Sequence, residues 1–304
     1  MKTLFQLVGR NLRTYYRNRG TVFFSLLTCL IVIVLMVVFL GDMNVTSITN
    51  LLNEYGGVRD TDVDDANALA LILNWITAGI VIVNSINVTL TVIGTMIEDE
   101  EEHRLISFYV SPLKRSTFVF SYVISGYIMG AIMCILTVVI AEGYIYISGS
   151  IPISFGDALT AVGYSLVVEF FASGITFFLV SLVHSKSAFS GLGTVVGTLI
   201  GFLGGIYVPL GSLPEGVANV CKYIPFMPAS ALVRNAFTNS LIEKTFTNVP
   251  PELISEYRLV MGIDIEYGSH LMTTTEMVLL LVGYGIIFTV LSVLIQSKRH
   301  ASDR

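Results

Sequence analysis

Six apolar runs, each about as long as a lipid bilayer is thick, decide what this 304-residue chain can fold into. Crossing roughly 30 Å of hydrocarbon at 1.5 Å per residue takes about 20 such residues in a helix. The runs predict spans at about 21–40, 68–97, 117–147, 158–183, 187–208 and 276–297. With 54% hydrophobic and 13% charged residues and a mean hydropathy of +0.77, the chain has too few charges to cover a soluble core. The expectation is an all-α polytopic membrane protein forming one domain over 1–304, with residues 1–20 at the membrane surface and outer loops at 41–66 and 209–275. No signal-peptide cleavage pattern follows the first run, which is therefore read as a mature helix.

Charge and missing motifs narrow the function. Against 22 acidic residues stand 17 Lys and Arg, a net charge of −5, so no basic surplus exists to hold a phosphate backbone and nucleic acid is not an expected partner. Cys29, Cys134 and Cys221 share no short spacing, which argues against a disulfide framework or a zinc site. The chain has no G-x-x-x-x-G-K-[ST] phosphate loop and no G-x-G-x-x-G between strand and helix, so it is not expected to hydrolyse a nucleotide by itself. His103, His184, His270 and His300 have neither metal-ligand spacing nor a partnered nucleophile. Neither catalytic nor metal-binding residues are expected.

Orientation follows from Lys and Arg, because short basic loops stay cytoplasmic. With the N-terminus inside, the inner segments hold 12 of the 17 basic residues, and only Arg59, Lys222, Arg234, Lys244 and Arg258 fall outside. Both termini are expected in the cytoplasm. The first segment, LFQLVGRNLRTYYRNRG, mixes Leu, Val and Tyr with Arg at helical intervals, as an amphipathic helix in the inner interface does. Residues 41–65 are acidic and read as a small solvated excursion, whereas PLGSLPEGVANVCKYIPFMPAS is too apolar for a solvated loop and is expected to pack at the membrane surface or dip into it.

The inner loop EDEEEHRLISFYVSPLKRS is the most informative segment. Five carboxylates, Glu98 to Glu102, continue the second span, then Arg104, Leu105, Phe108, Tyr109 and Val110 read as a short amphipathic helix stopped by Pro112. A solvated acidic face is one explanation. The apolar residues beside the charges favour a partner surface. Glu142 and Glu169 interrupt spans three and four, and an ionisable group at that depth faces a partner or an aqueous path. Glu142, near the outer end, can reach water; Glu169 is deeper, and either bonds a neighbouring helix in protonated form or contacts a substrate or ion. In span five, Gly193, Gly197 and Gly201 read as a close-packing stripe. Gly204 and Gly205 followed by Pro209 and Pro214 mark a helix that ends and turns back, either as an outer gate or as a fixed turn.

Six spans with both ends inside, an interfacial basic helix, an acidic-then-apolar loop ending in Ser111-Pro112-Leu113-Lys114-Arg115, and GFLGGIYVPLGSLPE together resemble the permease subunit of type-2 ABC (ATP-binding-cassette) exporters over nearly the whole chain. The resemblance implies that the loop between spans two and three docks on a separate ATPase. ATPase coupling then falls to Glu98, Glu100, Glu101, Arg104, Leu105, Phe108, Tyr109 and Pro112. It implies two copies of that ATP-binding subunit carrying ATP and Mg, a second permease as homo- or heterodimer, and no cofactor in this chain. The setting would be a bacterial plasma membrane. Substrate, amphipathic or lipophilic and of drug or peptide type, would run near spans two and five with Glu169 and Glu142 as polar groups. It would leave past Gly204, Gly205, Pro209 and Pro214, where short hairpin helices re-enter from outside. Many relatives have Gly-Thr in the inner loop where this chain has His103-Arg104. Two other classes stay open: an ion- or proton-coupled secondary transporter using Glu142 and Glu169, and a membrane sensor or scaffold.

The topology has a direct test. Single cysteines at positions 60 and 250 should react with an impermeant reagent added outside, and those at 10 and 300 should not; the reverse pattern would refute the orientation.

Overall fold

The structure is a computed structural model describing residues 2–36, 42–55, 59–104 and 115–298. Its spine is α4 (Thr61–Glu101), 41 residues without a break. At 1.5 Å per residue this helix is about 60 Å long, twice the hydrocarbon thickness, so it projects beyond the bilayer. It is apolar all round rather than on one stripe, and such a helix is stable only when covered on every side. The cover comes from α1 (Lys2–Arg17), α2 (Arg19–Met36), α3 (Asp42–Tyr55), α5 (Arg115–Ile147), α6 (Phe155–Ser181), α7 (Lys186–Leu203) and α9 (Phe226–Thr245), all of which pack on it. A 3-10 turn (Leu210–Ser212) and α8 (Glu215–Tyr223) precede α9. Following it are α10 (Pro251–Val260), a two-residue antiparallel ladder pairing Glu266 with Leu271 and Tyr267 with His270, and α11 (Thr274–Lys298).

Among the described residues five helices are long and apolar enough to cross a membrane: α4, residues Thr117–Ile147 of α5, α6, α7 and residues Thr274–Gln296 of α11. The first expected span falls on α2, and residues 37–41 lie outside the described ones. The outer segment 41–66 is not a plain excursion: Val45, Ile48 and Leu52 of α3 form an apolar stripe, and Ile48 and Leu52 are buried in the main core. Helix α4 then starts at Thr61, where Asp60 caps it by accepting from the amides of Asp62 and Val63. Arg59 beside this cap makes a bidentate pair with Asp64 at 2.6 and 2.7 Å and donates to the carbonyls of Thr245 and Thr247 at the end of α9. The bond to Asp64 holds the Arg59 guanidinium above its ordinary range.

Four helices end in the same way. In α4, α5, α7 and α10 the C-terminal turn closes with paired backbone bonds around a residue of positive φ: His103 (+56°), Gly149 (+79°), Gly205 (+62°) and Gly262 (+62°). Each has the second residue past the cap donating back to the third residue from the end: Arg104 to Asp99, Ser150 to Ile145, Ile206 to Gly201 and Ile263 to Arg258. Glycine adopts that conformation freely. His103, with a Cβ, does so at a cost.

Close helix packing lies elsewhere than the stripe in span five. A Cβ on Gly174 of α6 would sit 2.5 Å from the carbonyl oxygen of Gly285 on α11, so these backbones touch. Around Gly191 and Gly193 no described atom lies within 4 Å of such a Cβ. Gly174→Val should therefore destabilise the fold by about 1–3 kcal/mol through overpacking, lowering folded yield and Tm, while Gly191→Ala leaves both unchanged or improved. Equal effects would show that α6 and α11 are not in backbone contact.

Candidate functional site

At the end of the bundle where α4 finishes, Asp99 ties three elements together. It faces inward on the last turn of α4 and is 3% exposed. Arg10 of α1 donates to its Oδ2 at 2.8 Å, Tyr122 of α5 donates to the same oxygen at 2.7 Å, and Arg104 lies 3.5 Å from Oδ1. Asn11 of α1 donates to Ser121 of α5 at 3.3 Å beside them. The amphipathic helix α1 is thus fastened to the bundle through a buried charge pair, and Leu7, Val8 and Tyr15 complete its inward face. Of the expected coupling residues, Glu98 and Glu100 are half-buried on the last turn of α4, while Glu101 and Arg104 are exposed. Leu105, Phe108, Tyr109 and Pro112 lie outside the described residues.

Inside the bundle, Glu169 of α6 is fully buried where α4, α5 and α6 meet. Ser85 Oγ donates to Oε2 at 2.6 Å, Thr89 Oγ1 donates to Oε1, and Cys134 Sγ approaches at 3.8 Å. A Cβ on Gly130 of α5 would collide with the carboxyl group, so that glycine makes room for it. The arrangement ties three helices by hydrogen bonds that apolar surroundings strengthen. Glu142 sits differently. Its Oε2 accepts from the amide of Ile153, closing the turn between α5 and α6, and its Oε1 is buried without a partner among the described residues.

A groove of about 460 Å³ opens between α2, α4 and α7. Thr21, Ser25, Asn84 and Asn87 line it with hydroxyls and amides, and Phe24 and Phe189 line it with rings. Asn84 also donates to Thr137 of α5 at 2.6 Å, which fixes its side chain.

Toward the opposite end of the bundle, the turn after α7 folds back on itself. Ile206 lies on Gly79 of α4 and Tyr207 on Gly201, where added Cβ atoms would come within 2.7 and 2.1 Å of them. Pro209 starts the 3-10 turn and Pro214 starts α8, each as the residue before a helix its ring cannot extend backwards. Underneath lies Arg234 of α9, fully buried. It donates to the carbonyls of Gly205 (2.7 Å), Met261 (3.2 Å) and Gly262 (3.3 Å) and stacks 4.3 Å from the ring centre of Trp75 on α4. Sequence reasoning used Arg234 only to count charges and did not single out Asp99. The cue for Arg234 was its isolation in the apolar string ASALVRNAF; Asp99, one of five adjacent acids, had no distinguishing cue.

This fold is that of a multi-pass membrane subunit whose polar groups hold helices together. Residues 2–238 match the family described as ABC-2 type transporter, and the chain belongs to it: it is the permease subunit of a type-2 ABC transporter, not itself the ATPase. Permeases of this family work in general with a separate ATP-binding subunit. No curated protein matches the chain.

Asp99→Ala leaves Arg10 and Tyr122 without their acceptor, and loss of one partner of a buried pair is costly. Because Arg10 is partly solvated, the expected cost is about 1–3 kcal/mol, read as faster tryptic cleavage at Arg10 and Arg13 in membranes. Unchanged cleavage would mean that packing alone holds α1. For the inner turn, His103→Gly should raise stability by about 0.5–1 kcal/mol by removing the left-handed strain. A lower Tm would show that the side chain contributes more than its backbone costs.

Proposed function

We propose that this chain is one half-permease of an ATP-driven exporter in the plasma membrane of a bacterium. It pairs with a second permease, identical or related, and with two ATPase subunits that bind ATP and Mg. In this reading α2 belongs to the first of six spans and both termini are cytoplasmic. Helices α8 and α9 form the outer hairpin that re-enters the membrane, and residues 98–113 receive the ATPase motion. Substrate is amphipathic or lipophilic and leaves between the two permeases past residues 204–214.

The observation that carries the reading is the groove between α2, α4 and α7. Its described lining combines aromatic rings with hydroxyls and amides and contains no charged side chain, which suits a neutral or amphipathic molecule better than a bare ion. Beside it, α7 is the least covered of the five candidate spans, 11% buried, and also the least apolar, with mean hydropathy 1.3. A helix of that kind gains more from a protein neighbour than from lipid, and a second permease there would close the groove into a path. The contacts of Glu169 support a fixed tie between helices rather than an ion relay.

Two readouts test this. The chain purified in mild detergent should bring down an ATP-binding-cassette protein, and amphipathic compounds should stimulate ATP hydrolysis by the complex. Asn87→Ala should raise the concentration needed for half-stimulation about fivefold, as expected for one lost hydrogen bond. Purification without any ATPase would refute the reading. Stimulation by amphipathic compounds that ignores Asn87 would move the path away from the groove.

A further inference from the structure

The chemistry around Arg234 is unusual for a buried charge. Guanidinium groups taken out of water are normally paired with a carboxylate, because an uncompensated charge in apolar surroundings is costly. Among the described residues no carboxylate is among the hydrogen-bond partners of Arg234, and its Nε finds no acceptor. What faces it instead is the C-terminal end of two helices. The Gly205 carbonyl belongs to the closing turn of α7, and those of Met261 and Gly262 belong to the closing turn of α10. The carbonyls at a helix C-terminus carry partial negative charge and attract a cation. The Trp75 ring supplies a fourth attractive surface, and its Nε1 donates to the same Met261 carbonyl at 2.9 Å.

One cation therefore draws together four segments: α4, the exit turn of α7, α9 and the end of α10. Both glycines have a φ of +62°, and their carbonyls point inward at Arg234. On Gly262 a Cβ would lie 2.9 Å from Nη1 of Arg234. Ile206, next to Gly205, is 2% exposed and rests on Gly79 of α4.

We propose that Arg234 is the positioning residue that latches the outer closure, holding the turn at Gly205–Ile206 down on α4 until the transport cycle lifts it. The inference rests on the export reading above and assigns the outer closure to a residue outside the turn itself. Bonds from a cation to carbonyls suit a reversible latch. In the closed, dry state they compensate a charge that water does not reach. Once water enters the mouth, it can solvate guanidinium and carbonyls alike, so the latch opens without leaving an unsatisfied group. A purely apolar contact at the same place has no such second stable arrangement.

The test places the single cysteine Ile206→Cys in full-length protein with Cys29, Cys134 and Cys221 replaced by Ala. Labelling by an impermeant maleimide is then followed from outside intact cells. With Arg234 present, labelling in energised cells supplied with an amphipathic dye should run about fivefold or more faster than in ATP-depleted cells. In Arg234→Lys, which keeps the charge and loses the planar fork, labelling should be fast in both states at similar protein yield. Should Arg234→Lys fail to accumulate, Trp75→Phe is measured in its place, since it removes the bond to Met261 and keeps a ring face; faster labelling without ATP is again expected. Labelling in the parent that ignores ATP, or a folded variant that labels at the parent's rate, would overturn the latch. An ATPase that still co-purifies in that case leaves the transport reading standing.

Discussion

A helix that is apolar on all sides cannot stop at one partner, and α4 imposes that requirement on the rest of the chain. Its surface reaches the inner base, the bundle interior and the outer cover without a break, so whatever packs on it is placed relative to everything else that does. The periphery reflects this. Helices α7 and α11 are largely uncovered and exchange their apolar surface with lipid or another protein, whereas the middle of α4 is almost wholly enclosed. A helix of this length also runs, in one piece, from the Asp99 cluster at one end of the bundle to the turn over Gly79 near the other.

In an apolar bundle the costs of unmet polar groups are high, and three buried ionisable side chains here find partners on other helices. Asp99 is met by α1 and α5, Glu169 by α4, and Arg234 by the ends of α7 and α10. These contacts do more than offset desolvation. Dispersion and apolar packing between long helices tolerate sliding, whereas a hydrogen bond of fixed direction defines the register at which two helices meet. Three such ties at three depths fix α4 against its neighbours at the base, the middle and the top.

Much of this was legible in the sequence where a one-dimensional pattern has one physical cause. Apolar run length located the five spans described, and Gly-Gly before Pro located the end of α7, although the helix stops at Leu203 rather than near 208 because Gly205 takes the closing turn. Acidic composition obscured α3, whose burial rests on Val45, Ile48 and Leu52 at helical spacing and not on its net charge. The partners of Asp99, Glu169 and Arg234 were not legible, because, apart from Asp99 with Arg104, each pairing joins residues 23 or more positions apart and no local pattern marks which of several carboxylates turns inward. The glycine stripe of span five was readable as small residues, but not the different surroundings of its members among the described residues: Gly193 open, Gly197 facing Asn87 and Gly201 covered by Tyr207.

In the proposed function, transport is driven by ATP through a separate subunit and directed outward. Inside-out vesicles from cells expressing the complex, loaded outside with a fluorescent amphipathic dye, measure this directly. Uptake into the vesicles that requires ATP, survives collapse of the proton gradient and disappears when the partner ATPase loses its hydrolytic carboxylate is the predicted result. Uptake driven by a proton or cation gradient in the absence of ATP would contradict it.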